Sequence, residues 1–131
     1  MDADAQDAPV RVLFIEDDPA VAQMYQLKLQ LDGYQVTIAR DGEAGLRMAR
    51  EDPPDMVFLD IRLPKMDGLA VLEAIRANDS TSHLPVVILS NYAEKELVER
   101  GLRLGALEYL IKSKTNPGML SGGMDGWLAK G

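Results

Sequence analysis

The run Met56-Val57-Phe58-Leu59-Asp60 is four apolar residues closed by a carboxylate, and its reading decides the fold. Three other runs share the design. Val12-Leu13-Phe14-Ile15 stops on Glu16-Asp17-Asp18, Val86-Val87-Ile88-Leu89 on Ser90, and Leu107 to Ile111 on Lys112. Short continuous apolar runs bounded by turn residues read as strands covered on both faces, the pattern of a parallel sheet. Parallel strands wound with helices bring their carboxyl ends to one rim, where open α/β sheets bind ligands. That rim would hold three or four carboxylates, a hydroxyl and a lysine. Such a set suits a divalent cation together with a phosphoryl group.

The segments between the runs read as helices. Asp18 can cap one that begins at Pro19, the favoured first position. Val21, Met24, Leu27 and Leu31 recur along it at helical spacing, and Gly33 ends it. Tyr34, Val36 and Ile38 alternate with Gln35 and Thr37 as a second strand would. Asp41-Gly42 opens a short helix that Pro53-Pro54 must stop. Leu63 to Gly68 forms a loop, Leu69, Leu72 and Ile75 mark a helix, and Pro85 introduces strand four. A helix from about Ala93 to Arg103 carries Leu97, Val98 and Leu102, and Gly105 precedes strand five. Pro117 suits the start of a last helix. Gly118, Gly122, Gly123 and Gly126 lie within it, each costing about 1 kcal/mol against alanine. Packing of Met119, Leu120, Trp127 and Leu128 would have to hold it. The pattern is (βα) repeated five times, a doubly wound α/β three-layer sandwich with a flavodoxin-like parallel sheet.

Composition narrows the function. The chain has 131 residues, enough for one domain with a substantial core. A net charge of −7 would repel a phosphate backbone, so no direct nucleic-acid binding is expected. The absence of cysteine excludes disulfides and thiolate metal sites. Residues 1–8, MDADAQDA, lack the features of a signal peptide and are expected to be a disordered acidic tail before a domain over 9–130. No apolar run approaches the roughly 18 residues of a membrane span, so no membrane association and a cytoplasmic location are expected.

The pieces Phe14-Ile15-Glu16-Asp17-Asp18-Pro19, Leu59-Asp60-Ile61-Arg62-Leu63-Pro64-Lys65-Met66-Asp67-Gly68, Ser90, and Tyr109-Leu110-Ile111-Lys112 occur in this order on the five-fold pattern. Together they resemble the receiver domain of two-component response regulators, in particular stand-alone chemotaxis-type receivers, from about Val10 to Leu128. The resemblance implies strand order 2-1-3-4-5 and a phosphoryl group taken by Asp60 from a histidine kinase or phosphotransfer protein.

A carboxylate at position 60 can form an acyl phosphate, dividing one transfer into two. Glu16 and Asp17 match the family's acidic pair. Two like charges 4 Å apart cost about 4 kcal/mol at an effective dielectric of 20, and a hard cation, Mg²⁺ or Mn²⁺, relieves them. Asp17 and Asp60 would bind it directly, Glu16 directly or through water, and the Arg62 backbone carbonyl by resemblance. Lys112 would pair with a phosphoryl oxygen and Ser90 would donate its hydroxyl to the same group. Ser90 and Tyr109 match the family's switch pair, with core packing the rival role for Tyr109. Arg62 and Tyr92 hold positions that tune acyl-phosphate hydrolysis in the family, with a surface salt bridge and a solvent-facing aromatic as the plain alternatives. His83 is expected to be an exposed loop residue.

Two departures stand out. Ser113 follows Lys112 where the family commonly has proline, and the last helix is rich in glycine. Among rivals, a flavodoxin-like cofactor binder needs a hydroxyl- and glycine-rich phosphate loop where this chain has Glu16-Asp17-Asp18. An aspartate-based phosphatase would want an acid at position 62, which is arginine. A silent pseudo-receiver, or an excised receiver acting only as a binding module, would usually lack Asp60, Asp17 or Lys112. The expectation is therefore a response regulator receiver that is not an enzyme beyond Mg²⁺-dependent self-phosphorylation and autodephosphorylation. It would be a monomer controlling a downstream protein target. With no output domain after Lys130, it is expected to be either stand-alone or cut from a longer protein.

Overall fold

In the computed structural model, residues 8–131 are described. The expected disordered tail falls, except for Ala8, outside the described residues. Five strands form one parallel sheet: β1 (Arg11–Ile15), β2 (Gln35–Ala39), β3 (Met56–Leu59), β4 (Val86–Ser90) and β5 (Glu108–Ile111). Their order is β2-β1-β3-β4-β5, as the resemblance implied. Five helices alternate with them: α1 (Pro19–Leu31), α2 (Gly42–Glu51), α3 (Gly68–Ala77), α4 (Lys95–Arg103) and α5 (Pro117–Leu128). No described helix is long and apolar enough to cross a membrane.

Side-chain alternation along the strands builds two separate cores. Leu13, Ile15, Val57, Leu59, Val86 and Ile88 face α2 and α3. Val12, Phe14, Met56, Phe58, Val87 and Leu89 face α1 and α5. Both faces of β1, β3 and β4 are thus dry, which is why these strands read as unbroken apolar runs. An aromatic chain runs through the second core: Phe14 stacks on Tyr25 with ring centroids 5.4 Å apart, and Phe58 meets Trp127 edge-on at 5.7 Å.

The face of α1 is not the expected one. Ala22, Tyr25 and Leu29 point inward, while Met24, Leu27 and Leu31 are 45%, 57% and 83% exposed. Both sets have helical spacing, so periodicity alone could select either. Tyr25 decides the phase, because its ring stacks on Phe14 and its hydroxyl donates to the Thr115 carbonyl at 3.3 Å. In α5 the inward stripe is Leu120, Met124 and Trp127, and Met119 is exposed instead of packed. Gly123 has a packing reason: a Cβ there would lie 2.5 Å from the Trp127 ring. Leu102 of α4 is likewise exposed, and the buried residue of that helix is Gly101, pressed against Ile88.

The β3–α3 loop is closed tightly over the end of β3. Gly68 N–H donates to the Ile61 carbonyl at 2.8 Å, and Lys65 takes a left-handed backbone with φ of 69°. A Cβ on Gly68 would lie 2.0 Å from the Asp60 carbonyl oxygen. Gly68→Ala is therefore expected to lower unfolding free energy by about 1–3 kcal/mol through overpacking, measured by urea denaturation.

Burial pushes the Tyr25 phenol above its ordinary pKa, against the attraction of Lys112. Since the folded phenol ionises later than the unfolded one, its stabilising share is whole below about pH 10 and is lost as pH rises beyond that. Tyr25→Phe should cost about 1 kcal/mol at neutral pH through the lost hydrogen bond. It should also flatten the alkaline decline in thermal midpoint, followed by circular dichroism.

Candidate functional site

The register sets Ile15 beside Leu59, Leu59 beside Ile88 and Ser90 beside Ile111. The polar residues that end the four runs consequently meet at one rim. Backbone bonds fix two of them: Glu16 N–H donates to the Ala39 carbonyl at 2.9 Å, and Asp60 N–H to the Ile15 carbonyl at 3.1 Å. Glu16, Asp17 and Asp60 each present an oxygen within 4.8 Å of the others. Asp18 stands apart as the cap of α1, accepting from Ala20 N–H at 2.9 Å and Val21 N–H at 3.3 Å.

Glu16 and Asp60 are 1% and 5% exposed, while Asp17 opens to solvent. Glu16 Oε2 accepts from the Asp18 N–H at 3.1 Å, and Asp60 Oδ1 from the Ile61 N–H at 2.7 Å. Their other oxygens share one cation: Lys112 Nζ lies 2.6 Å from Glu16 Oε1 and 2.9 Å from Asp60 Oδ2. Burial raises the Glu16 pKa above its ordinary value, opposed by the Lys112 and Asp18 bonds and reinforced by the Asp60 charge. For Lys112, burial favours the neutral amine, but the bonds to Asp60 and Glu16 outweigh it and hold the pKa above the usual value. The lysine stays an ammonium. One ammonium among three carboxylates leaves the pocket short of positive charge. The donor set is all hard oxygen with one exposed member, which fits a divalent cation of the Mg²⁺, Mn²⁺ or Ca²⁺ kind.

Beside the carboxylates, Ser90 is fully buried and its Oγ accepts from the Tyr92 N–H at 3.1 Å. The hydroxyl hydrogen remains to be donated to another group. Tyr109 is half-buried and its hydroxyl donates to the Tyr92 carbonyl. Burial raises the Tyr109 pKa, so it keeps that proton at neutral pH. Arg62 and Tyr92, read separately from the sequence, touch: the guanidinium carbon lies 4.5 Å from the ring centroid. Arg62 thus has an aromatic partner, and Tyr92 remains 44% exposed, the solvent-facing position of the plain alternative, with the guanidinium against its ring.

Ser113 lies in the β5–α5 connection. A 3₁₀ turn spans Lys112–Lys114, and no cis peptide bond occurs among the described residues. The Ser113 N–H donates to Asn91 Oδ1 at 3.0 Å. Sequence reading passed over Asn91, since nothing in linear order ties it to position 113. His83 is exposed in the loop before β4, at the opposite end of the strand from Ser90.

Comparison with known proteins agrees with this arrangement. The family described as response regulator receiver domain matches residues 12–121. The transcriptional regulatory protein CseB of Streptomyces coelicolor is 43% identical over 101 residues, which are 77% of this chain and 42% of CseB. The CheY-like receiver domain protein from Methanospirillum hungatei JF-1 superposes with a TM-score of 0.85 at 28% identity, covering 93% of this chain and 95% of that one. The Mn²⁺-bound form of response regulator Rcp1 gives 0.83 at 29% identity, covering 92% and 95%. The chain spans less than half the length of the curated relatives it matches. With the five-stranded order, the acidic rim and a family match over most of its length, the chain belongs to the response regulator receiver domains of two-component signal transduction.

Proposed function

We propose that Asp60 is the phosphoacceptor of this receiver and that the donor is a phosphohistidine on a histidine kinase or phosphotransfer protein. The observation that supports it most is the Lys112 ammonium seated between Glu16 and Asp60 at the sheet rim. An oxygen of Asp60 attacks phosphorus while the P–N bond breaks and its electron pair leaves with the imidazole. Lys112, already 2.9 Å from Asp60, turns its charge to a phosphoryl oxygen. Ser90 donates its free hydroxyl hydrogen to another. Glu16, Asp17, Asp60 and the Arg62 carbonyl would hold Mg²⁺, which neutralises phosphoryl charge when bound. The protein is not a turnover enzyme: it catalyses only its own phosphorylation and hydrolysis.

Arg62, two residues after Asp60, stacks on Tyr92, two after Ser90, and this contact between the β3–α3 and β4–α4 loops supports a role in slowing water. Ser90 and Tyr109 both bond the Tyr92 backbone, which supports their acting as one switch. The output is a protein surface rather than nucleic acid, in keeping with the charge of −7. The chain works as a monomer in the cytoplasm, where an absence of cysteine is unremarkable. A silent receiver is disfavoured by the convergence of Asp17, Asp60 and Lys112.

Incubation with acetyl phosphate and Mg²⁺ should add one phosphoryl group by intact mass, and Asp60→Asn should abolish it. Undiminished labelling of that variant would refute the assignment. Lys112→Ala should keep the circular dichroism of the parent yet lose most of the labelling rate, about 100-fold or more for removing a charge-stabilising donor. Mg²⁺ should bind the unphosphorylated protein, and Asp17→Ala should weaken that binding about tenfold or more by isothermal titration. Equal affinity in parent and variant would exclude Asp17 as a ligand.

A further inference from the structure

Lys112 needs its backbone held, because it is the first residue of the 3₁₀ turn Lys112–Lys114. The residue before that turn, Ile111, has no side-chain acceptor, and no side-chain cap bond comes from it. The first amides of a helical turn have no partner within it and ordinarily take one from the N-cap side chain, which bonds the second or third residue. Here Ser113 is the second residue, and its N–H is met by Asn91 Oδ1 at 3.0 Å from the end of the neighbouring strand. A proline at 113 would have no N–H to offer. Asn91 directly follows Ser90, whose strand pairs with β5 through Ser90 beside Ile111.

We propose that Asn91 is a positioning residue that caps the Lys112 turn from β4 and so keeps the ammonium aimed at Asp60. The bond also ties the residue after Ser90 to the residue after Lys112, so the two phosphoryl-contacting side chains move as one unit. This rests on the reading of Asp60 and Lys112 as the phosphoryl-transfer pair, but the bond itself can be tested without phosphate.

The experiment compares Asn91→Ala, Asn91→Asp and Ser113→Pro with the parent. Exchange of the Ser113 amide, followed by NMR, should be about tenfold faster in Asn91→Ala and near parental in Asn91→Asp, which keeps an oxygen acceptor. Labelling by acetyl phosphate with Mg²⁺ should slow about three- to tenfold in Asn91→Ala, the range expected for losing a cap bond. Asn91→Asp should recover the rate, while the Mg²⁺ dissociation constant stays within about twofold throughout, because no metal-facing oxygen is altered. Adding Asn91→Ala to Ser113→Pro should slow labelling no further. Parental exchange at Ser113 in Asn91→Ala would overturn the proposal, as would additive rate losses or an equal loss of Mg²⁺ affinity. If Ser113→Pro does not fold, the two Asn91 variants decide alone. If the parent takes no label, the Asp60 reading fails, and the Ser113 exchange still decides whether the cap exists.

Discussion

Two carboxylates buried side by side at the end of a dry sheet are the constraint around which this molecule is arranged. Glu16 and Asp60 leave less than a tenth of their surface to water, and each directly follows a run of four buried apolar residues, Val12–Ile15 and Met56–Leu59. Left alone they would repel one another and lose their hydration, a combination that costs several kcal/mol. The chain answers with one backbone amide for each carboxylate and one ammonium for both. The helices cannot help, since they cover the faces of the sheet and leave only its rim open. Stability therefore resides in the two apolar cores, and the rim is where the fold tolerates crowded carboxylates.

That division explains what could be read from residues alone. The strands, their order of burial and the polar residues that close them follow from short apolar runs, and the runs survive because both sheet faces are dry. The helix starts at Asp18 and Asp41 were equally legible, since a cap acts on amides within three residues of itself, whereas Asp67, which caps α3 in the same way, read only as part of a loop. The facing of α1 was not visible. Its residues carry two apolar stripes on opposite sides, and the choice between them is made by Phe14, a residue of another element. Met119 and Met124 pose the same ambiguity in α5, settled by the Trp127 ring lying over Gly123. The Arg62–Tyr92 stack and the Asn91–Ser113 bond join residues of different loops by contacts that no local spacing encodes.

The tripeptide Ser90-Asn91-Tyr92 gathers most of these nonlocal contacts. Its first side chain accepts from its third amide, its second side chain reaches the turn after β5, and its third carbonyl takes the Tyr109 hydroxyl. The ring of Tyr92 adds the Arg62 contact from the β3–α3 loop. Any shift of Ser90 toward a new acceptor at Asp60 would be felt at both β5 ends of this web. A loop becomes a relay when its polar groups are committed to different neighbours rather than to itself.

Trp127 packs into the second core from α5, edge-on to Phe58 and with its indole N–H donated to Glu108 Oε2 at 2.5 Å. It is the sole tryptophan of the chain. Phe58 stands two residues before Asp60 on β3, and Glu108 lies one residue before Tyr109 on β5. The single indole is thus an intrinsic optical probe in contact with β3 and β5, two of the four strands that carry the site. Its emission reports the joining of α5 to the sheet from one chromophore, with no second signal to subtract.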